Sequence, residues 1–301
     1  MTDLARFDGV FTALVTPFTE RGEIDWDAFD RLIDRQLGAG IAGLVPVGTT
    51  GEAATLTDRE ADEVIARTVR RAEGLAYVLA GTGSNATAKA VDATRRATDA
   101  GADGVLVVTP YYNKPTQDGL IAHFDAVAGA TGADVMLYSV PGRAGVAIAP
   151  ETAAALAHAR ANIVAIKEAG GDAGRVTELR RACGPDFAIH CGDDGLALAF
   201  YALGACGLTS VLSNFAPREC VEMHRAWTAG DKDRALSIHE RLAPLAKALF
   251  VESSPSPVKR ALALAGQMTD IVRLPLVRLS DTANSLLTES VETFHAGAAE
   301  A

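Results

Sequence analysis

Asn162-Ile-Val-Ala-Ile-Lys-Glu168 is the stretch on which the fold turns. An apolar run of strand length continues without a polar break and stops at a lysine. Unbroken apolar character over so short a run is what a parallel strand covered on both faces requires. The same pattern recurs along the chain. It predicts strands over residues 10–15, 43–47, 77–80, 104–108, 135–138, 163–166, 187–190 and 207–211.

The segments between these runs have helical period. Asp25 fits as an N-cap ahead of Phe29, Leu32, Ile33 and Leu37, which share one face. Thr57 and Glu60 have capping-box spacing ahead of Val64 and Ile65. Asn85 precedes an Ala-rich helix that ends at Gly101, and Pro150 stands where a first-turn proline belongs. Strands that alternate evenly with helices predict an α/β chain closed as a (β/α)8 TIM barrel. An open doubly wound sheet is the alternative, but the glycine fingerprint of dinucleotide folds is missing. The barrel is expected over residues 1–216 and a helical C-terminal region over 217–301. In that region helices are expected at about 217–229, 231–250, 257–264 and 280–295. No Gly/Ser-rich linker separates the two, so the tail is expected to pack on the barrel.

Composition narrows the function classes. The chain has 301 residues, 49% of them apolar and only 6% aromatic, which is a close-packed α/β profile. A formal charge of −10 argues against nucleic acid and against an anionic membrane as partner. Cys183, Cys191, Cys206 and Cys220 form no CxxC pair and read as reduced thiols. The N-terminus has no basic region leading into an apolar one, and no apolar run reaches the length of a membrane span. A cytoplasmic enzyme is the expectation. The histidines show no HExxH or Cys/His ligand spacing, so neither a metal nor another cofactor is expected.

In barrels of this kind chemistry sits at the C-terminal ends of the strands. Of Lys89, Lys114, Lys167, Lys232, Lys247 and Lys259, only Lys167 ends a predicted strand. Burial there would disfavour the ammonium form, and a neutral amine can attack a ketone to give an imine. The plainer account is a strand-end lysine paired with Glu168. The second feature is Val47-Gly-Thr-Thr-Gly-Glu52, where glycines expose backbone N–H groups and Thr49 and Thr50 add hydroxyls that together could hold a small carboxylate. Alternatively it is only a tight turn. The third is the tyrosines: Tyr111 and Tyr112 follow the fourth strand and Tyr138 ends the fifth. A hydrogen-bonded phenol can carry a proton, although rim packing is the better account of any single one of them. The fourth is Arg143 in Val140-Pro-Gly-Arg-Ala-Gly145, placed to clamp a carboxylate or simply to cap a loop. Asp193 and Asp194 read as a cap for the next helix, and His190 as a satisfied strand-end histidine.

These motifs, from Ala13-Leu-Val-Thr-Pro17 to Pro257-Val-Lys259, resemble the pyruvate-dependent aldolase family that contains dihydrodipicolinate synthases and N-acetylneuraminate lyases. The most specific pieces are Val47-Gly-Thr-Thr-Gly-Glu52, Val108-Thr-Pro-Tyr-Tyr-Asn113, Tyr138-Ser-Val-Pro-Gly-Arg143, Ile166-Lys-Glu-Ala169 and Gly192-Asp-Asp194. The resemblance implies that Lys167 forms the imine with pyruvate and that Tyr138 moves its protons. It implies that Thr49 links Tyr138 to Tyr112, with Tyr112 reaching the site of an adjacent subunit. Thr50 would hold the pyruvate carboxylate, Arg143 the carboxylate of aspartate semialdehyde, and Gly192 and Thr209 would also border the substrates. It further implies lysine biosynthesis as the setting and a homotetramer, a dimer of dimers, as the assembly. Arg143 favours the synthase branch. Ser139, Ala144 and Thr209 stand where that branch usually has Asn, Thr and an aliphatic residue, and Glu252-Ser-Ser-Pro255 stands where Glu-Pro-Asn-Pro is common. The alternative is therefore another pyruvate-dependent lyase or dehydratase acting on a 2-oxo-3-deoxy or 4-hydroxy-2-oxo acid. Lysine-sensitive members bind lysine between two subunits through an acidic side chain, and that position is Lys89 here.

Overall fold

The computed structural model describes residues 4–299. Among them, strands β1 (Gly9–Ala13), β2 (Gly43–Val45), β3 (Tyr77–Gly81), β4 (Gly104–Val108), β5 (Asp134–Ser139), β6 (Ile163–Glu168), β7 (Ala188–Cys191) and β8 (Gly207–Ser210) pair in parallel in chain order. Strand β8 returns to β1 and closes the barrel. The expected strands are all present. Their ends shift by up to two residues, and β6 runs on through Lys167 and Glu168.

The connections carry α1 (Trp26–Gly38), α2 (Asp58–Ala72), α3 (Thr87–Asp99), α4 (Gln117–Ala128), α5 (Pro141–Ala144), α6 (Pro150–Ala159), α7 (Gly174–Cys183) and α8 (Ala197–Ala202). After β8 come α9 (Pro217–Thr228), α10 (Lys232–Ala248), α11 (Ser256–Leu264) and α12 (Asp281–Ala299). Local chemistry sets several starts. The Asp25 carboxylate accepts from the Ala28 N–H at 3.0 Å, and Thr57 and Glu60 cap α2 reciprocally. Pro150 is the first residue of α6. Asn85 precedes α3 as expected, and Gly101 follows its end in the left-handed conformation. Helix α3 starts at Thr87 with no side-chain cap, and the Asn85 carbonyl instead accepts from Asn113 Nδ2 at 2.8 Å. That bond ties the loop after β3 to the loop after β4.

Two apolar layers hold the barrel. Its interior is filled by Phe7, Phe11, Leu79, Leu106, Met136 and neighbours, with Phe7 supplied by a short helical turn before β1. The outer layer joins the strands to the surrounding helices. Helix α9 packs against β1 and against α10, and α12 packs on both α10 and α11. The tail thus rests on the barrel, and α10 walls one side of its mouth. No helix among the described residues is long and apolar enough to cross a membrane.

Candidate active site

The strand register aligns Val108, Tyr138, Lys167, His190 and Gly207 around the barrel. Registered residues on neighbouring strands face the same side, so Tyr138, Lys167 and His190 all point inward. Lys167 is 5% exposed, and its Nζ lies 4.4 Å from the centroid of the Tyr138 ring. Gly192 makes room for the lysine stem: a Cβ there would stand 3.0 Å from Lys167 Cε and 2.6 Å from Ala169 Cβ. Glu168 points the other way. Its Oε1 accepts from the Gly170 N–H at 2.8 Å, and Oε2 lies 3.5 Å from Arg175 Nη2. Burial pushes this carboxyl above the usual range, with Arg175 opposing. The plainer account of Lys167, an ion pair with Glu168, is therefore excluded by strand geometry.

On the strand next to Lys167, His190 forms a closed polar pair with Thr209. His190 Nε2 donates to the Phe7 carbonyl at 2.7 Å, because a carbonyl can only accept. The other nitrogen, Nδ1, is left to accept from the Thr209 hydroxyl at 3.0 Å. Burial pulls His190 down to about 4, so the neutral ring persists at physiological pH. The expectation that Thr209 borders the substrates meets this arrangement: Thr209 is fully buried, bonds to His190 and is not among the residues lining the cavity.

The mouth of the barrel holds a cavity of about 580 Å³, lined by Thr49, Thr50, Tyr138, Arg143, Lys167 and Gly192 among others. The Thr49–Thr50 turn is bracketed by two left-handed residues, Val47 at φ 57° and Glu52 at φ 56°. It lies close against β3, where a Cβ on Gly81 would come 2.1 Å from the Val47 carbonyl oxygen, so only glycine fits. Arg143 sits on α5, and its Nη2 lies 3.5 Å from the Ser254 carbonyl oxygen. No carboxylate pairs with it among the described residues. Tyr112 is 91% exposed, stands at φ 73° and lines neither this cavity nor the adjoining one of about 310 Å³, which Tyr111 does line. Among the described residues no hydrogen bond joins the hydroxyls of Thr49, Tyr138 and Tyr112.

Several participants were not visible to sequence reasoning. Ala243, Ala246 and Lys247 of α10, with Phe250 and Ser254 beyond it, form one wall of the cavity. Helical period marks the buried face of such a helix, but nothing local says that its rim meets the barrel mouth. Asp193 caps as expected, accepting from the Gly195 N–H at 3.1 Å, whereas Asp194 bridges to β8. It accepts from the Ser210 hydroxyl and from the N–H groups of Val211 and Leu212, the latter two at 3.0 Å each. Ser139 faces away from the cavity and accepts from the Ile148 N–H at 3.3 Å. Lys259 is fully buried and paired with Glu52 at 2.7 Å.

Comparison with known proteins agrees with this fold. The model of the dihydrodipicolinate synthetase family matches residues 6–293. A 4-hydroxy-tetrahydrodipicolinate synthase from Bartonella bacilliformis is 45% identical over 289 residues, 96% of this chain and 98% of that protein. The solved 4-hydroxy-tetrahydrodipicolinate synthase of Methylacidiphilum fumariolicum SolV superposes with a TM-score of 0.96 at 42% identity, covering 97% of each chain. A chloride-inhibited dihydrodipicolinate synthase from Acinetobacter baumannii, solved with pyruvate, has a TM-score of 0.93 at 40% identity over 96% of this chain and 99% of its own.

Proposed function

The chain belongs to the dihydrodipicolinate synthetase family, and from that premise we propose that it condenses pyruvate with aspartate semialdehyde through an imine on Lys167. Its class is that of the pyruvate-dependent, lyase-type aldolases. The observation that carries the reading is a buried amine over a tyrosine ring, in one cavity with a hydroxyl-rich turn and an arginine that has no carboxylate partner among the described residues.

The chemistry follows from those positions. The Lys167 amine adds to the pyruvate ketone and loses water, with Tyr138 beside it to supply and take back the proton. The methyl carbon of the imine then loses a proton, and the resulting enamine attacks the aldehyde carbon of the second substrate. Attack by that substrate's amine on the imine carbon closes the ring and returns Lys167, giving 4-hydroxy-tetrahydrodipicolinate. Thr50 and neighbouring N–H groups hold the pyruvate carboxylate, and Thr49 passes protons between Tyr138 and a Tyr112 brought in by an adjacent subunit. Gly192 serves by keeping the space beside the Lys167 stem open. Thr209 acts at one remove, fixing His190 beside the lysine. A homotetramer, a dimer of dimers, completes the site. The product class places the enzyme in lysine biosynthesis.

Arg143 separates the two substrates in an assay. Imine formation does not need the guanidinium, but a second carboxylate does. In Arg143→Ala the KM for aspartate semialdehyde should rise by about 10-fold or more, as expected for a lost charged hydrogen bond, while pyruvate trapping stays intact. Steady-state rates with aspartate semialdehyde, set against a 2-oxo-3-deoxy acid and a 4-hydroxy-2-oxo acid, test the whole reading. Turnover of either alternative acid and none of the semialdehyde would overturn it. Of the residues at which this chain departs from the synthase pattern, Ser139 and Thr209 do not line the cavity. Ala144 borders only the adjoining one, whereas Ser254, in the departing Glu252-Ser-Ser-Pro255 stretch, lines the cavity and meets Arg143 through its backbone carbonyl.

Feedback by lysine should be weak or absent. Lys89 is exposed on the first turn of α3, where the lysine-binding members of the family carry an acid. A cation there repels the ligand's ammonium in place of attracting it. An activity titration should show no half-inhibition below about 1 mM lysine, and a sub-millimolar midpoint would show this account of Lys89 to be wrong.

A further inference from the structure

Lys259 and Glu52 are 207 residues apart and form an ion pair at 2.7 Å with side chains 0% and 1% exposed. Burying two charges is costly, and an apolar pair of similar volume often serves a fold equally well. What this pair joins is therefore informative. Glu52 ends the turn that carries Thr49 and Thr50, and its second oxygen accepts from the Arg273 N–H at 2.9 Å. Lys259 also donates to the Thr16 carbonyl at 2.8 Å, while the Thr16 hydroxyl donates to the carbonyl of Gly51 in the same turn at 2.7 Å. The Phe18 ring lies under both cations, 4.1 Å from Lys259 Nζ and 4.4 Å from Arg273 Cζ. Both hydrogen bonds of the ammonium thus go to the turn or its support. At the other end, Lys259 is on the first turn of α11, shortly after Ser254 and Pro255. Ser254 lines the cavity, and its carbonyl lies against the Arg143 guanidinium.

We propose that Glu52 and Lys259 are positioning residues that lock the Thr49–Thr50 turn to the Ser254 segment, and so set the two carboxylate subsites at a fixed separation. Neither side chain reaches the reacting atoms. Their contribution is geometric, since a small misplacement of a binding group is felt strongly when two reactants must meet. The proposal rests on the reaction assigned above, and its test keeps the two apart. The decisive variant is Glu52→Met combined with Lys259→Met, which removes both charges at similar volume. Thermal unfolding should be close to that of the parent, yet KM for pyruvate and KM for aspartate semialdehyde should both rise by about 10-fold or more, with kcat changing less. Lys259→Arg, which keeps the charge, should recover part of both. Parental KM values in a stably folded double variant would reduce the pair to a structural role, and a rise in only one KM would remove the coupling. Should the double variant not fold, Glu52→Gln takes its place, with the same two KM values measured and the same outcomes deciding. The rate of pyruvate trapping on Lys167 reads the turn half alone. A different second substrate in the parent would thus overturn the assigned reaction while the effect of the pair on trapping remained measurable.

Discussion

Borohydride added with pyruvate should fix a three-carbon acid on Lys167, and Lys167→Ala should lose both the adduct and turnover, by roughly 10⁴-fold or more in kcat. The expectation follows from what surrounds each lysine. Lys167 is buried inside the barrel with no carboxylate against its amine among the described residues, and the Tyr138 ring lies 4.4 Å away. Lys259 is equally buried, but its ammonium is held by Glu52 and the Thr16 carbonyl. Lys89, Lys114, Lys232 and Lys247 are exposed, outside the closed barrel interior that holds Lys167. Lys247 is the informative competitor, because it lines the same cavity. Peptide mapping of the reduced adduct decides between them, with circular dichroism confirming that Lys167→Ala is folded. An adduct on Lys247 or Lys259, or one that survives in Lys167→Ala, would remove Lys167 from its role.

Tyr112→Phe should lower kcat by about 10²-fold or more, the usual contribution of a positioned proton carrier, without changing the assembly. Tyr112 is 91% exposed at φ 73°, a left-handed conformation that costs a residue other than glycine about 1–2 kcal/mol. A large aromatic held out from its own chain at such a cost fits a side chain whose contacts are made with another copy. Within the chain Tyr112 lines neither the Lys167 cavity nor the adjoining one, so its hydroxyl reaches the site only from another copy. Phenylalanine keeps the ring that would pack between subunits and removes only the hydroxyl. Sedimentation of Tyr112→Phe should therefore match the parent while turnover falls. Full activity in Tyr112→Phe, or in a species shown to be monomeric, would exclude the relay across subunits.

Much of this protein is legible from neighbours in the chain. Continuous apolar runs mark the barrel strands, and Asp25, Thr57 with Glu60, and Pro150 mark helix starts, because capping and period depend on residues within a turn or two. Lys167 at the end of such a run is legible in the same way. What the sequence could not show is which face of each strand is interior. A strand buried on both faces has no polar alternation to mark its parity. Only closure of the barrel decided that Tyr138, Lys167 and His190 point in while Ser139 and Glu168 point out. Closure likewise joined Thr209 to His190, and packing of the tail brought Lys247 to the cavity and Lys259 to Glu52. Those partners lie up to 207 residues apart, and a contact at that separation leaves no period in the chain, since it exists only once the ring has closed and the helices have docked upon it.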